Sequence, residues 1–112
     1  MNKVTLIGHL GQDPELKKTS SNTSVMLIKI ATDEGYMDKK TNSWVNATEW
    51  HRVQLWNKAA ERAQEQLMKG DLVVVTGKIK TRSYDKDGQT SYITEIVADH
   101  YKRLTKRQNQ NS

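Results

Sequence analysis

The residues of this chain best suited to chemistry are rings and cations in alternation, set in the run TEWHRVQLW. Trp50, Arg52, Gln54 and Trp56 recur at every second position. Side chains alternate between the two faces of a β-strand, so these four share one face and His51, Val53 and Leu55 share the other. An aliphatic face opposite two indoles and a guanidinium divides the labour: one side for a core, the other for a planar, electron-rich or anionic partner. Indoles left near water waste apolar area unless something covers them. Nucleobases are one such cover, because every base has a π-face, and base–aromatic stacking contributes roughly 1–3 kcal/mol per base. The competing reading packs both Trp residues against a helix or a neighbouring subunit, which fits poorly with Arg52 and Gln54 between them.

A second alternating set lies further on. Lys78, Lys80, Arg82 and Tyr84 share one strand face, three cations ending in a ring. Every second residue of a strand advances by roughly 6.6–6.8 Å, close to the phosphate repeat of a single nucleic-acid strand. Such a face can follow a sugar-phosphate backbone while Tyr84 stacks; a merely solvated cationic hairpin is the alternative. Tyr36 and Lys39 sit on another polar loop, positioned to close over the same strand. Trp44 reads as a cross-strand packing residue, and Tyr92 and Tyr101 as structural.

Other chemistries find little support. The chain has no cysteine, so disulfides and thiolate metal sites are excluded. Its three histidines, His9, His51 and His100, lack metal-ligand spacing. His51 alternates with core positions and reads as a structural or subunit-interface residue. There is no Ser/His/Asp signature, phosphate-cradling glycine loop or carboxylate pair in an apolar setting. No enzyme activity, metal or cofactor is expected.

At 112 residues the chain has the length of one domain, and the modest core this allows favours stabilisation by oligomerisation. The net charge of +5 favours anionic partners. It is unevenly spread: 14 Lys and Arg against 12 Asp and Glu up to Ala98, then four against one from Asp99 onward. No targeting segment is visible and no run approaches the ~20 apolar residues of a membrane span, so a soluble, cytoplasmic protein is expected.

The elements that must position these residues follow from pattern. Lys3–Leu10 reads as a strand in which Gly8 marks a bulge or close backbone approach. Asp13-Pro14 is a turn. Ser24–Thr32 is a second strand, with Met26, Ile28 and Ile30 on one face and Val25, Leu27, Lys29 and Ala31 on a partly covered other. Residues 33–43 form an extended hairpin loop, and Trp44–Trp56 is the third strand. Asn57–Lys69 is the one helix, with Asn57 as N-cap, Ala60, Ala63 and Leu67 facing inward and Gly70 at the C-cap. Leu72–Tyr84 and Ser91–Leu104 form a hairpin about the turn at residues 85–88. Three strands, a helix and two strands predict a mainly β protein: a closed five-stranded antiparallel barrel with the helix plugging one end, the plan of an OB-fold. The domain is expected to span residues 1–104, with 105–112 a short basic, polar, disordered tail.

Several segments together resemble the bacterial and mitochondrial-type single-stranded DNA-binding proteins: NKVTLIGHLGQDPE (2–15), TEWHRV (48–53), GKIKTR (77–82), DGQ (87–89) and TEIVA (94–98). The resemblance covers nearly the whole chain to about Leu104. It implies an OB-fold homotetramer binding single-stranded DNA without sequence preference in replication, recombination and repair, associated with the nucleoid. It places base stacking on Tyr36, Trp50, Trp56 and Tyr84, and phosphate contacts on Lys17, Lys39, Arg52, Lys58, Lys69, Lys80 and Arg82. His51 falls near a subunit interface. Many bacterial members end in an acidic, hydrophobic tip that recruits replication and repair proteins; this chain ends KRQNQNS without that tip, and replication and repair proteins stay open as partners. The rival readings are a protein-interaction module, an RNA-binding OB protein and a nuclease.

Overall fold

The computed structural model describes residues 1–104. The expected tail, 105–112, lies outside the described residues. The strands are β1 (Val4–Leu10), β2 (Leu16–Lys18), β3 (Ser24–Asp33), β4 (Tyr36–Asp38), β5 (Ser43–Val45), β6 (Thr48–Trp56), β7 (Leu72–Lys86) and β8 (Gln89–Arg103). One helix, α1 (Asn57–Gln66), joins β6 to β7. None of the described helical segments is long and apolar enough to cross a membrane.

The sheet runs β1-β7-β8-β6-β3 and closes on itself, because β1 pairs with both β7 and β3. β2 adds at the outer side of β3. This is the expected OB-fold barrel with its helix between the third and fourth barrel strands. Four seams are antiparallel and the fifth, β6–β8, is parallel. Parity requires this, since a ring with an odd number of strands cannot alternate direction at every seam. The parallel seam is short, with Val53 opposite Ile96 and Gln54 opposite Val97.

Alternation builds the core. Met26, Ile28 and Ile30 point inward from β3, Val53 and Leu55 from β6, Val73 and Val75 from β7, and Ile96 from β8, all buried. α1 closes the barrel with Ala60 and Ala63, both fully buried, followed by Leu67. Two alanines let the helix approach closely. Gly8 allows another close approach, since a Cβ there would collide with the carbonyl oxygen of Ala31 on β3. The chain closes the ring at this point.

Several boundaries differ from the sequence pattern. The long loop is itself a hairpin, β4–β5, with Asn42 at φ 55° near its turn. The expected third strand is split, since Ser43–Val45 belongs to that hairpin and β6 begins only at Thr48. Asn57 is not a side-chain N-cap: it is left-handed, at φ 57°, and no side chain caps the helix. The helix stops at Gln66 rather than Lys69, because the next residues bond elsewhere. Asp71 accepts from the Met68 N–H at 3.0 Å, Asp13 from Lys69 N–H at 2.8 Å, and the Leu10 carbonyl from Gly70 N–H at 2.9 Å. Gly70, at φ 92°, turns the chain into β7. At the far end of the β7–β8 hairpin, Asp87 and Gly88 (φ 53° and 77°) give the two-residue loop that suits strand twist.

Replacing Gly8 by alanine should destabilise the barrel by about 1–3 kcal/mol, because backbone must yield to the new methyl. Urea unfolding of Gly8→Ala beside wild type measures this; equal midpoints would show that closure does not depend on the contact.

Candidate nucleic-acid interface

What the barrel buries on its inner side determines what it offers on its outer side. The register of β3 against β6 pairs Val25 with Trp56, Leu27 with Gln54, Lys29 with Arg52 and Ala31 with Trp50. On the other flank of β6, Val97 of β8 stands opposite Gln54, and β8 in turn pairs Lys78 with Val97, Lys80 with Glu95 and Tyr84 with Ser91. The ring-bearing face of β6 and the cationic face of β7 are therefore parts of one outer surface spanning β3, β6, β8 and β7. Lys17 of β2 extends it at one side, opposite Val25.

The rings on this surface are open. Trp50 is 55% exposed, Trp56 36% and Tyr84 43%. Trp50 lies over Gly11, where any side chain would run into the indole. Together with Gln12, Lys29, His51 and Arg52 these residues line a cleft of about 530 Å³. Tyr36, 55% exposed, stands on β4 of the separate hairpin, with Lys39 exposed at that hairpin's turn.

The remaining cations divide. Lys80 is exposed on the β7 row, and Lys58 is exposed on the first turn of α1, two residues past Trp56. Lys69 stands apart, in the turn between α1 and β7 with its backbone on Asp13. Arg52 and Arg82 come together on one acid. Glu95, 4% exposed, accepts from Arg82 Nε at 2.8 Å and from Gln54 Nε2 at 2.9 Å. Arg52 Nε approaches its other oxygen at 3.5 Å and makes no hydrogen bond there. Gln54 Oε1 accepts in turn from the Trp56 indole at 3.0 Å. Burial raises the Glu95 pKa, but the hydrogen bonds from Arg82 and Gln54 and the charges of Arg82 and Arg52 outweigh it and leave the carboxyl below its ordinary value.

His51 is half-buried at the end of the inward row and shares a hydrogen bond with the Thr32 hydroxyl, Nε2 to Oγ1 at 2.9 Å. Trp44 faces Met37 across the small hairpin, covers Gly35 and donates to Asn46 at 2.9 Å. Tyr101 packs against the core and donates to Gln66 at 2.8 Å. Tyr92, by contrast, is 73% exposed and not a packing residue. Residue-by-residue reading of the sequence missed Lys29 and Glu95 as members of this surface. Lys29 shares strand parity with Val25, Leu27 and Ala31; Glu95 is an acid between aliphatic strand residues, Ile93 and Ile96. No cluster of metal-ligating side chains occurs among the described residues.

Such a surface can stack planar rings and neutralise anionic groups. A closed barrel of this topology, with its helix between the third and fourth barrel strands, defines an OB-fold domain. Comparison with known proteins narrows the class: residues 1–104 match the single-strand binding protein family, and the chain belongs to it. It is 44% identical over 106 residues to Single-stranded DNA-binding protein 1 of Chlorobaculum tepidum, covering 93% of this chain and 65% of that protein's length. Its fold matches a solved Plasmodium falciparum SSB complex with ssDNA at TM-score 0.83 and 31% identity, over 94% of this chain and 96% of the other.

The Glu95 charge should couple stability to pH with a defined sign. A carboxyl whose pKa is lower folded than unfolded stabilises the fold above its unfolded pKa, and that contribution is lost as pH falls through the folded pKa. Wild type should therefore exceed Glu95→Gln in stability at neutral pH, with the gap closing in acid. A gap independent of pH would show that the ionised carboxylate is not what matters.

Proposed function

We propose that this chain binds single-stranded DNA without sequence preference and protects it during replication, recombination and repair. The observation that carries this reading is the single outer surface on which Trp50, Trp56 and Tyr84 alternate with Arg52, Lys80 and Arg82 across neighbouring strands. In the complex Tyr36, Trp50, Trp56 and Tyr84 stack on bases, and Lys17, Lys39, Arg52, Lys58, Lys69, Lys80 and Arg82 meet phosphates. Stacking is indifferent to base identity and phosphate contacts are identical along the strand, so affinity arises without sequence readout. The family description and both relatives' names speak of binding and of no reaction.

Residues 1–104 act as one binding domain, and the chain works as a homotetramer in a DNA-containing compartment, with His51 near a subunit interface. Exposed Ile7 on the outer face of β1 and the half-buried His51 support an oligomeric surface. Light scattering should give the mass of four chains; a monomer mass would overturn this part.

Fluorescence anisotropy with labelled oligo(dT), oligo(dA) and mixed sequences tests the binding. Trp50→Ala and Trp56→Ala should each weaken every complex by roughly 1–3 kcal/mol. Lys80→Ala should weaken all of them uniformly and flatten the plot of log affinity against log salt by about 0.7, one phosphate contact fewer. Wild-type affinity in all three variants would remove the proposed surface. Preferential binding of matched RNA over the DNA oligomer would redirect the reading to RNA, since the 2′-hydroxyl must then contribute.

A further inference from the structure

A surface suited to a polyanion has no obvious use for an acid, yet the most buried carboxylate among the described residues lies at its centre. We propose that Glu95 is a positioning residue for the bound strand: it holds Arg82 by an Nε hydrogen bond and Arg52 by ion pairing at 3.5 Å and, through Gln54, fixes the indole of Trp56. The proposal rests on the DNA-binding reading above and adds a role to a residue outside its stacking and phosphate sets.

The geometry supports holding rather than competing. An arginine has five N–H donors in a rigid fork, and Glu95 engages only the Nε edge. Among the described residues neither guanidinium has another hydrogen bond or ion pair. The Arg82 side chain is 52% exposed and that of Arg52 35%, so their terminal amino groups are free to meet phosphate while Nε stays on the acid. Two cations about one anion keep a net positive charge. Pulling them off would strand a buried carboxylate, which is strongly unfavourable. Arginines held before binding lose less side-chain freedom when the strand arrives.

The link to Trp56 is set by charge. An ionised carboxylate only accepts hydrogen bonds, so Gln54 must turn its amide NH₂ towards Glu95 and its oxygen towards the Trp56 N–H. One acid on β8 thereby orients two phosphate-binding cations and one stacking ring, drawn from β6 and β7.

The test is Glu95→Gln, bound to oligo(dT) across a range of salt concentrations, with wild-type binding measured first. The substitution keeps the side chain's shape but removes its charge, frees the arginines and lets the Gln54 amide turn over. The salt dependence should become steeper: binding equal to or tighter than wild type at low salt, and about tenfold weaker at high salt, where positioned contacts carry more of the affinity. Salt plots that coincide or run parallel overturn the proposal; parallel displacement is what a purely structural role predicts. If the variant does not fold, the wild type decides by NMR. The Nε–H signal of Arg82 should stay protected from exchange in the saturated complex, and loss of protection on adding oligo(dT) would show that phosphate displaces Glu95. Failure of wild type to bind would overturn the functional reading itself, whereas normal wild-type binding with an unaltered variant would overturn only this role.

Discussion

Closure of the barrel is the constraint on which everything else depends. Once β1 pairs with both β3 and β7, each strand has one face sealed from water and one left outside. The inner rows take the apolar residues and the outer rows are released from packing. Five strands impose one parallel seam, and this seam brings β6 beside β8. Without it, the ring-bearing row of β6 would not lie across from the cationic hairpin. The placement of Trp56 and Arg52 relative to Lys80 and Arg82 is thus a consequence of how an odd-membered ring must close.

The outer surface then faces an electrostatic problem. Cations gathered on one face repel one another, and long side chains wander. Glu95, with Gln54, answers both difficulties for Arg52 and Arg82, because a buried carboxylate offsets the repulsion and the fork geometry of arginine leaves donors to spare. Among the described residues, Lys29, Lys78 and Lys80 have no such anchor and stay exposed, suited to counterion exchange rather than oriented contact. The surface joins a directed centre to a diffuse periphery.

Much of this was legible in the chain because alternation is a local signal. The inward rows Met26–Ile28–Ile30 and Val53–Leu55 and the outward row Trp50–Arg52–Gln54–Trp56 all stand where parity puts them. The Asp87-Gly88 turn and the Ala60, Ala63, Leu67 face of the helix were equally local. What failed depended on distant partners. The helix ends at Gln66 because Asp71, Asp13 and Leu10 take the following N–H groups. β6 begins late because Ser43–Val45 pairs with Tyr36–Asp38 instead. Glu95 joins Gln54 across 41 residues of sequence, and no pattern within either strand announces it. The resemblance to a known family supplied roles for individual side chains, which parity alone could not assign.

In the proposed complex the indoles of the outer surface lie directly against bound bases. Intrinsic tryptophan fluorescence during titration with oligo(dT), at low and at high salt, tests it most directly. Deep, saturable quenching is expected, with an apparent affinity that falls as salt rises. Unchanged emission, with the oligomer still running free in a mobility assay, would contradict it and mean that protein, not nucleic acid, covers Trp50 and Trp56.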